Sequence, residues 1–222
     1  MAKTVAVLAV QGAFIEHERM LRRVGASCVE LRQASDLRRP FDALVLPGGE
    51  STVQAKLLRE LGMLDELRAR IAAGLPVLGT CAGLILLAEQ VEEGVPAAGD
   101  PAAPVAVGAV APGALGTLPV TVRRNAYGRQ LGSFHVEAPF DFGASGTSAA
   151  GADLASDACP ATIPMTFIRA PFVTALRDGA RALARVDDRI VAVRAGNQIG
   201  LAFHPELDAD LRIHEQLVGM IG

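Results

Sequence analysis

The chain has 222 residues, half of them apolar, and a formal net charge of −3. That length can bury a full core in one domain, and the charge balance excludes the broad basic footprint of a nucleic-acid binder. Three irregularly spaced cysteines suggest neither a disulfide framework nor a zinc site, and no apolar run suits a leader peptide or a membrane span, so the expectation is a globular protein of the reducing cytoplasm without a metal.

In chain order, residues 5–10 are unbroken apolar, as in a strand covered on both faces. Gln11-Gly12-Ala13 turns the chain into a helix predicted over 14–24, where Phe14, Glu18, Leu21 and Val24 recur among charges and Gly25 stops it. Ser27–Leu31 and Ala43–Leu46 read as strands. The second of them runs into Pro47-Gly48-Gly49-Glu50-Ser51-Thr52, a turn leading to a helix over 53–61. A helix over 64–73 is closed by Gly74, and another strand begins after Pro76. Strands alternating with helices at this spacing predict a parallel α/β sheet.

Residues 77–88 hold the centre of the pattern. An apolar strand passes through Gly79-Thr80-Cys81-Ala82-Gly83 into a run of helix formers. Small residues around one nucleophile between strand and helix suit a nucleophile elbow, here with cysteine in place of serine. The elbow puts the thiol at a helix N-terminus, where backbone N–H groups and the dipole favour a thiolate. Taken alone, a cysteine here is better read as a buried structural residue; the Gly48-Gly49 turn upstream and His204-Pro205-Glu206 downstream weigh against that.

Residues 92–116, rich in Ala, Pro and Gly, are predicted as a long surface excursion. Strands at 118–122 and 133–136 flank Arg123–Gln130, and 143–159 reads as loop. Further strands are predicted at 163–168, 182–186, 190–193 and 199–203, with Asp188 in a hairpin turn between the middle two. Asp208 and Asp210 are expected to open a terminal helix ending near Met220. The predicted architecture is one α/β domain over 1–222, with a mostly parallel central sheet, flanking helices and an antiparallel extension.

A cysteine nucleophile needs a base, and the base an orienting acid. Of the four histidines, His17 sits among Glu16, Glu18 and Arg19 on the first helix and reads as solvated surface, and His214 reads similarly on the last. His135 fits either core or site. His204 follows an apolar strand, at the end of the sheet where α/β proteins place ligands, and Pro205 forces a turn that can return Glu206 to its imidazole. An oxyanion hole needs convergent N–H donors; Ala82 offers one, and the Gly48-Gly49 turn another. The glycine pattern matches neither a P-loop nor a dinucleotide fingerprint, so no cofactor is expected. Cys28 reads as core, and Cys159 carries no assigned function.

Gly79-Thr80-Cys81-Ala82-Gly83, Pro47-Gly48-Gly49-Glu50-Ser51-Thr52 and Phe203-His204-Pro205-Glu206 resemble the class I, triad-type glutamine amidotransferases. Val10-Gln11-Gly12-Ala13, Arg124-Asn125-Ala126-Tyr127-Gly128-Arg129-Gln130 and Phe167-Ile168-Arg169-Ala170-Pro171 narrow the resemblance to the glutaminase subunits of pyridoxal 5′-phosphate synthase. The resemblance implies that Cys81 attacks the side-chain amide of L-glutamine, that His204 moves the protons, and that Glu206 orients His204. It implies an oxyanion hole of Gly49 and Ala82. It also implies a glutamine site of Gly49, Glu50, Ser51, Arg124, Ile168 and Arg169, with the arginine suited to a bidentate pair with the α-carboxylate. Gln11 would face the partner and help set the oxyanion strand. The implied partner is a separate ammonia-accepting synthase subunit in a large hetero-oligomer, and the implied behaviour is weak glutaminase activity alone, stimulated on docking.

Two other readings fit parts of the pattern, one that keeps the enzyme class and changes the partner and one of a different class. Amidotransferase subunits for histidine, purine or aminobenzoate synthesis share the elbow and the His-x-Glu turn, though Arg124–Gln130 favours the vitamin B6 branch. An elbow-cysteine fold can also serve as a sensor or chaperone without turnover, which the intact Cys81, His204 and Glu206 argue against. A papain-like hydrolase is disfavoured because no peptide-groove signature is present.

Overall fold

The computed structural model describes residues 3–93, 111–124, 133–143 and 161–222. The predicted excursion therefore falls mostly outside the described residues, as do the stretch 125–130 and nearly all of the predicted loop 143–159, with Cys159.

Five strands pair in parallel at the centre: β1 (Thr4–Leu8), β2 (Ser27–Leu31), β3 (Ala43–Leu46), β4 (Val77–Thr80) and, from the far end of the chain, β13 (Gln198–Leu201), in the order β2-β1-β3-β4-β13. Helices α1 (Phe14–Arg23), α2 (Ser51–Glu60) and α3 (Leu64–Ala72) connect them. The unbroken apolar runs are explained by burial on both faces, since Val5–Leu8, Ala43–Leu46 and Val77–Leu78 are all 0 % exposed. Each such Val or Leu side chain stabilises the fold by about 1.5–3 kcal/mol relative to exposure, so a charge here would cost more than a local propensity could offset.

Beyond β13 the sheet becomes mostly antiparallel, with one parallel pair between β5 and β7. It continues through β12 (Arg189–Ala195), β10 (Phe172–Leu176) and β7 (Leu118–Arg123) to β5 (Ala88–Glu92) and β6 (Ala111–Pro112), while β11 (Ala180–Val186) pairs with β12. Asp187 and Asp188, both at positive φ (48° and 60°), form the two-residue turn between β11 and β12, the geometry that matches hairpin twist. A separate ribbon of β8 (Ser133–Phe140) and β9 (Ala161–Ile168) packs over the end of β13, with Phe134 stacked on Phe167 at 4.5 Å and Phe167 edge-on to Phe203 at 5.8 Å. Helix α5 (Arg212–Gly219) closes the chain. Asp210 accepts from the Arg212 N–H at its start, whereas Asp208 instead accepts from the Thr166 hydroxyl.

The structure departs from the predicted elements in three places. Helix α4 (Ala82–Leu87) is short and gives way directly to β5. Strand β10 was not expected; it is short, lies between two turns and carries a register shift between Val173 and Ala175, which breaks the period-two pattern. The end of the predicted excursion is not surface: β6 pairs with β5, Leu115 is 1 % exposed, and the Arg68 guanidinium donates to the Ala114 and Leu115 carbonyls.

Gly83 tests this packing. A Cβ there would lie 2.0 Å from the Leu46 carbonyl oxygen, a backbone atom that cannot step aside. Alanine gains about 1 kcal/mol of helix propensity, but overpacking costs about 1–3 kcal/mol or more. Gly83→Ala is therefore expected to lower the melting temperature by about 5 °C. Gly219→Ala, with nothing near its Cβ position, is expected to leave it unchanged or raise it; calorimetry of the two variants checks the contrast.

Candidate active site

Three adjacent parallel strands deliver the candidate residues at their carboxyl ends. β4 passes straight into Cys81, which sits at φ 49° and ψ −97° before α4. This left-handed conformation is the sharp turn of the elbow, and it is held from both sides: the Cys81 N–H donates to the Leu201 carbonyl at 2.7 Å, and the Cys81 carbonyl accepts from Ile85. Cys81 is only 7 % exposed, and its Sγ lies 3.9 Å from the Ile168 carbonyl oxygen at the end of β9. Ala82 opens α4, so its N–H belongs to the first turn, where no intrahelical acceptor exists.

His204 follows β13 and Phe203, and its backbone N–H donates to the Thr166 carbonyl at 2.8 Å. Pro205 starts a single 3₁₀ turn, Pro205–Leu207, which carries Glu206 back so that its Oε1 lies 2.7 Å from His204 Nδ1. Burial works against a charge on His204, but its hydrogen bonds to Cys81 and Glu206 and the Glu206 charge outweigh it, lifting His204 to about 10. Burial would raise the Glu206 carboxyl, yet His17 and the His204 hydrogen bond hold it below the usual carboxylate range. The turn after β3 fits beneath the ring: a Cβ on Gly48 would lie 2.3 Å from His204 Cε1. Only glycine permits that approach.

The front of the site is made of turns tied by side chains. Gln11 Oε1 accepts from the Glu50 N–H at 2.9 Å, Gln54 Nε2 donates to the Gln11 and Pro47 carbonyls, and the Gly48 carbonyl accepts from the Ala13 N–H. Gly49, at φ 154°, lies within this tie. The Glu50 carboxylate caps α2, accepting from the Thr52 and Val53 N–H groups at 3.1 and 2.7 Å, and also meets Arg124 Nη2 at 3.3 Å. Burial opposes the Glu50 charge, but these donors hold its carboxyl below the usual range. Arg124 Nη1 pairs in turn with Glu93 at 3.0 Å. Ser51 is buried in the first turn of α2, and Arg169, exposed and at φ 44°, follows Ile168.

The structure thus brings Cys81, His204 and Glu206 together, with Ala82 next to the thiol residue and the Ile168 carbonyl near Sγ, while Gly49, Glu50 and Ser51 form the turn tied to Gln11 and Arg124. His135 joins neither core nor triad: its side chain is half exposed, with Nδ1 2.9 Å from Thr166 Oγ1. Cys28 is partly buried rather than fully core, and burial pushes its thiol up to about 11.

Two expectations are overturned. His17 and His214, read as solvated surface, are both 0 % exposed. His17 Nδ1 lies 2.9 Å from His214 Nε2, and His17 Nε2 lies 3.1 Å from Thr80 Oγ1 and 3.3 Å from Glu206 Oε2. Burial pushes both rings below the ordinary histidine value, His214 to about 3, so both are neutral. A signal was present, because Phe14, His17, Leu21 and Val24 share helical spacing, but the charged neighbours of His17 outweighed it.

Comparison with known proteins agrees with this arrangement. Residues 7–222 match the family described as the SNO glutamine amidotransferase family. The pyridoxal 5′-phosphate synthase subunit PdxT of Desulfitobacterium hafniense (strain Y51) is 51% identical over 217 residues, covering 98% of this chain and 92% of that protein. PdxT of Methanocorpusculum labreanum is 48% identical over 217 residues, 98% of this chain and 97% of that protein. A crystal structure described as a glutamine amidotransferase superposes with a TM-score of 0.76 at 36% identity, covering 98% of both chains.

Two pH effects are expected. His204 is raised from 6.5 to about 10, so its contribution to stability is full below 6.5 and is lost as pH rises through about 10. In Glu206→Gln the histidine should titrate lower, as nitrogen-detected NMR of the imidazole would show; an unmoved titration would contradict the pairing. His214 runs the other way. It is lowered from 6.5 to about 3, so the unfolded chain takes up the proton first, and stability is full above 6.5 and falls as pH drops towards 3. Urea unfolding across that window should show the decline, flattened in His214→Gln.

Proposed function

The chain belongs to the SNO glutamine amidotransferase family, and on that premise we propose that it is the glutaminase subunit of a pyridoxal 5′-phosphate synthase. It hydrolyses L-glutamine to L-glutamate and ammonia, and passes the ammonia to a separate synthase subunit for vitamin B6 formation. The observation that carries the chemistry is the line from the elbow thiol of Cys81 through the His204 imidazole to the Glu206 carboxylate. The partner assignment is supported by the near-full-length likeness to synthase subunits named PdxT.

In this reading His204 takes the Cys81 proton and Sγ attacks the carboxamide carbon of glutamine. The oxyanion forms against the N–H groups of Gly49 and Ala82, at the turn and at the helix start. His204 delivers its proton to the amide nitrogen, the C–N bond breaks, and ammonia leaves a glutamyl thioester on Cys81. Water, deprotonated by His204, then attacks the thioester; the C–S bond breaks, glutamate departs and the thiol is restored. Glu206 keeps His204 oriented and offsets its charge throughout. Arg124, with the Glu50-Ser51 turn and the Ile168-Arg169 segment, holds the substrate. To do so Arg124 must exchange a carboxylate it already holds for that of glutamine. Gln11, half exposed and tied to Glu50, faces the partner, so that docking adjusts the Gly48-Gly49 turn. The free thiols suit a reducing cytoplasm.

Ammonia released into bulk water would be protonated and lost as a nucleophile, which is why a glutaminase of this kind is useful only beside its acceptor. Glutamate release should accordingly be slow for the chain alone and rise when a pyridoxal 5′-phosphate synthase subunit is added, with Cys81→Ala silent in both. Release that ignores the synthase would keep the glutaminase and reject the partner; none under any condition would reject both.

A further inference from the structure

The triad accounts for one oxygen of Glu206. The other, Oε2, is buried and has no hydrogen-bond partner among the described residues, yet His17 Nε2 stands 3.3 Å from it. Both side chains are 0 % exposed. An anion in such a place needs a donor facing it. Whether His17 offers a donor or a lone pair depends on its tautomer, and the buried surroundings decide that.

Two arrangements fit the 2.9 Å contact between His17 Nδ1 and His214 Nε2. If His17 Nδ1 carried the proton, its Nε2 lone pair would point at the Glu206 carboxylate. His214 would then have to carry its proton on Nδ1, a buried atom with no partner among the described residues. If instead His214 Nε2–H donates to His17 Nδ1, then His17 Nε2–H faces Glu206 Oε2 and Thr80 Oγ1, and His214 Nδ1 is left as a bare acceptor. A buried donor without a partner and a lone pair against an anion are both avoided in the second arrangement. Besides His214, the charged or titratable groups acting on His17 are Glu206, His204 and Glu16; the two carboxylates favour a donor towards them, while the His204 charge opposes a proton on His17.

We infer that His17 is a positioning residue for the reaction: its Nε2–H, held in that tautomer by His214, anchors the second oxygen of Glu206 and so fixes the carboxylate that orients His204. The inference rests on the glutaminase reading above. His17 touches neither substrate nor thiol; it acts through Glu206. Thr80 places this anchor directly behind the nucleophile, because its hydroxyl meets His17 Nε2 from the residue preceding Cys81.

Two substitutions separate positioning from mere filling of space. His17→Gln carries an amide N–H at about the position of Nε2, whereas His17→Asn carries it at the level of Nδ1, out of reach of Glu206. In complex with a pyridoxal 5′-phosphate synthase subunit, His17→Asn should lose about tenfold in kcat with KM little changed, while His17→Gln stays near wild type. In the same variants without the partner, imidazole NMR should find His204 titrating about one unit lower in His17→Asn and unmoved in His17→Gln, tenfold being the equivalent of one unit. Equal kcat in the two variants, or a His204 titration that shifts in neither or equally in both, overturns the inference. The titration needs no turnover, so a chain that releases no glutamate at all would sink the functional reading and still leave this test to be scored.

Discussion

Everything in the site hangs on one strained residue. A non-glycine residue in the left-handed region costs on the order of 1–3 kcal/mol and persists only where its surroundings over-determine it. Cys81 is over-determined by the sheet. Its N–H is bonded to Leu201 on β13, its predecessor Thr80 lies in β4 between β3 and β13, and its carbonyl starts α4. The strain points the thiol out of the carboxyl edge of the sheet, at the junction between β3 and β13. Those two neighbours then end at the Gly48-Gly49 turn and at His204. The register of the parallel strands, set by apolar residues far from the site, is therefore what brings Cys81, His204 and the glycine turn together.

The polar groups behind the nucleophile are costly to bury and are retained nonetheless. Glu206, His17 and His214 lie in a region otherwise filled by residues such as Leu21, Ile213 and Leu217. Replacing buried charged groups by apolar side chains of similar volume is often neutral or stabilising. The arrangement makes sense only if the charge on Glu206 is needed. Neutral histidines are a suitable way to hold it, because an N–H dipole stabilises the anion without introducing a second full charge that would itself require a partner. The acid sensitivity of His214 is the accompanying cost.

Legibility in the sequence followed how local the cause was. The elbow is legible because its requirements are adjacent: small residues flank Cys81, and the structure shows why at Gly83, whose missing Cβ lets α4 sit on Leu46. The His204-Pro205-Glu206 return is legible for the same reason, since proline makes the turn. The parallel strands are legible because double-sided burial leaves an unbroken apolar run. His17 is not, because its neighbours Glu16, Glu18 and Arg19 advertise solvent and its burial is decided by Glu206 and His214, far along the chain. β10 escapes because its register shift disrupts alternation, and the partners that make it a strand, β7 and β12, are distant. The end of the 92–116 segment misleads in a related way: its proline and glycine content suggests exposure, but Arg68 supplies donors to carbonyls that would otherwise be buried unpaired.

These causes divide the site into two mechanical parts. The rear, from Thr80 through His17 and Glu206 to His204, is buried and cross-linked by elements of the core, so it opens only with the fold itself. The front is held differently. The Gly48-Gly49 turn is secured by the buried Gln54 of α2 and by Gln11 and the Ala13 N–H, the last two on a partly exposed loop that can open locally at little cost. Yet the two parts meet at Gly48, whose backbone lies directly under the His204 ring. A shift of the 11–13 loop would be transmitted to the Gly48 carbonyl and the Glu50 N–H, and would redirect the backbone around Gly49 while the rear stays fixed. On the proposed mechanism, the backbone around Gly49 that would face the oxyanion can thus be altered from the surface without disturbing Cys81, His204 and Glu206. Such a division suits an enzyme whose product is wasted unless an acceptor is docked.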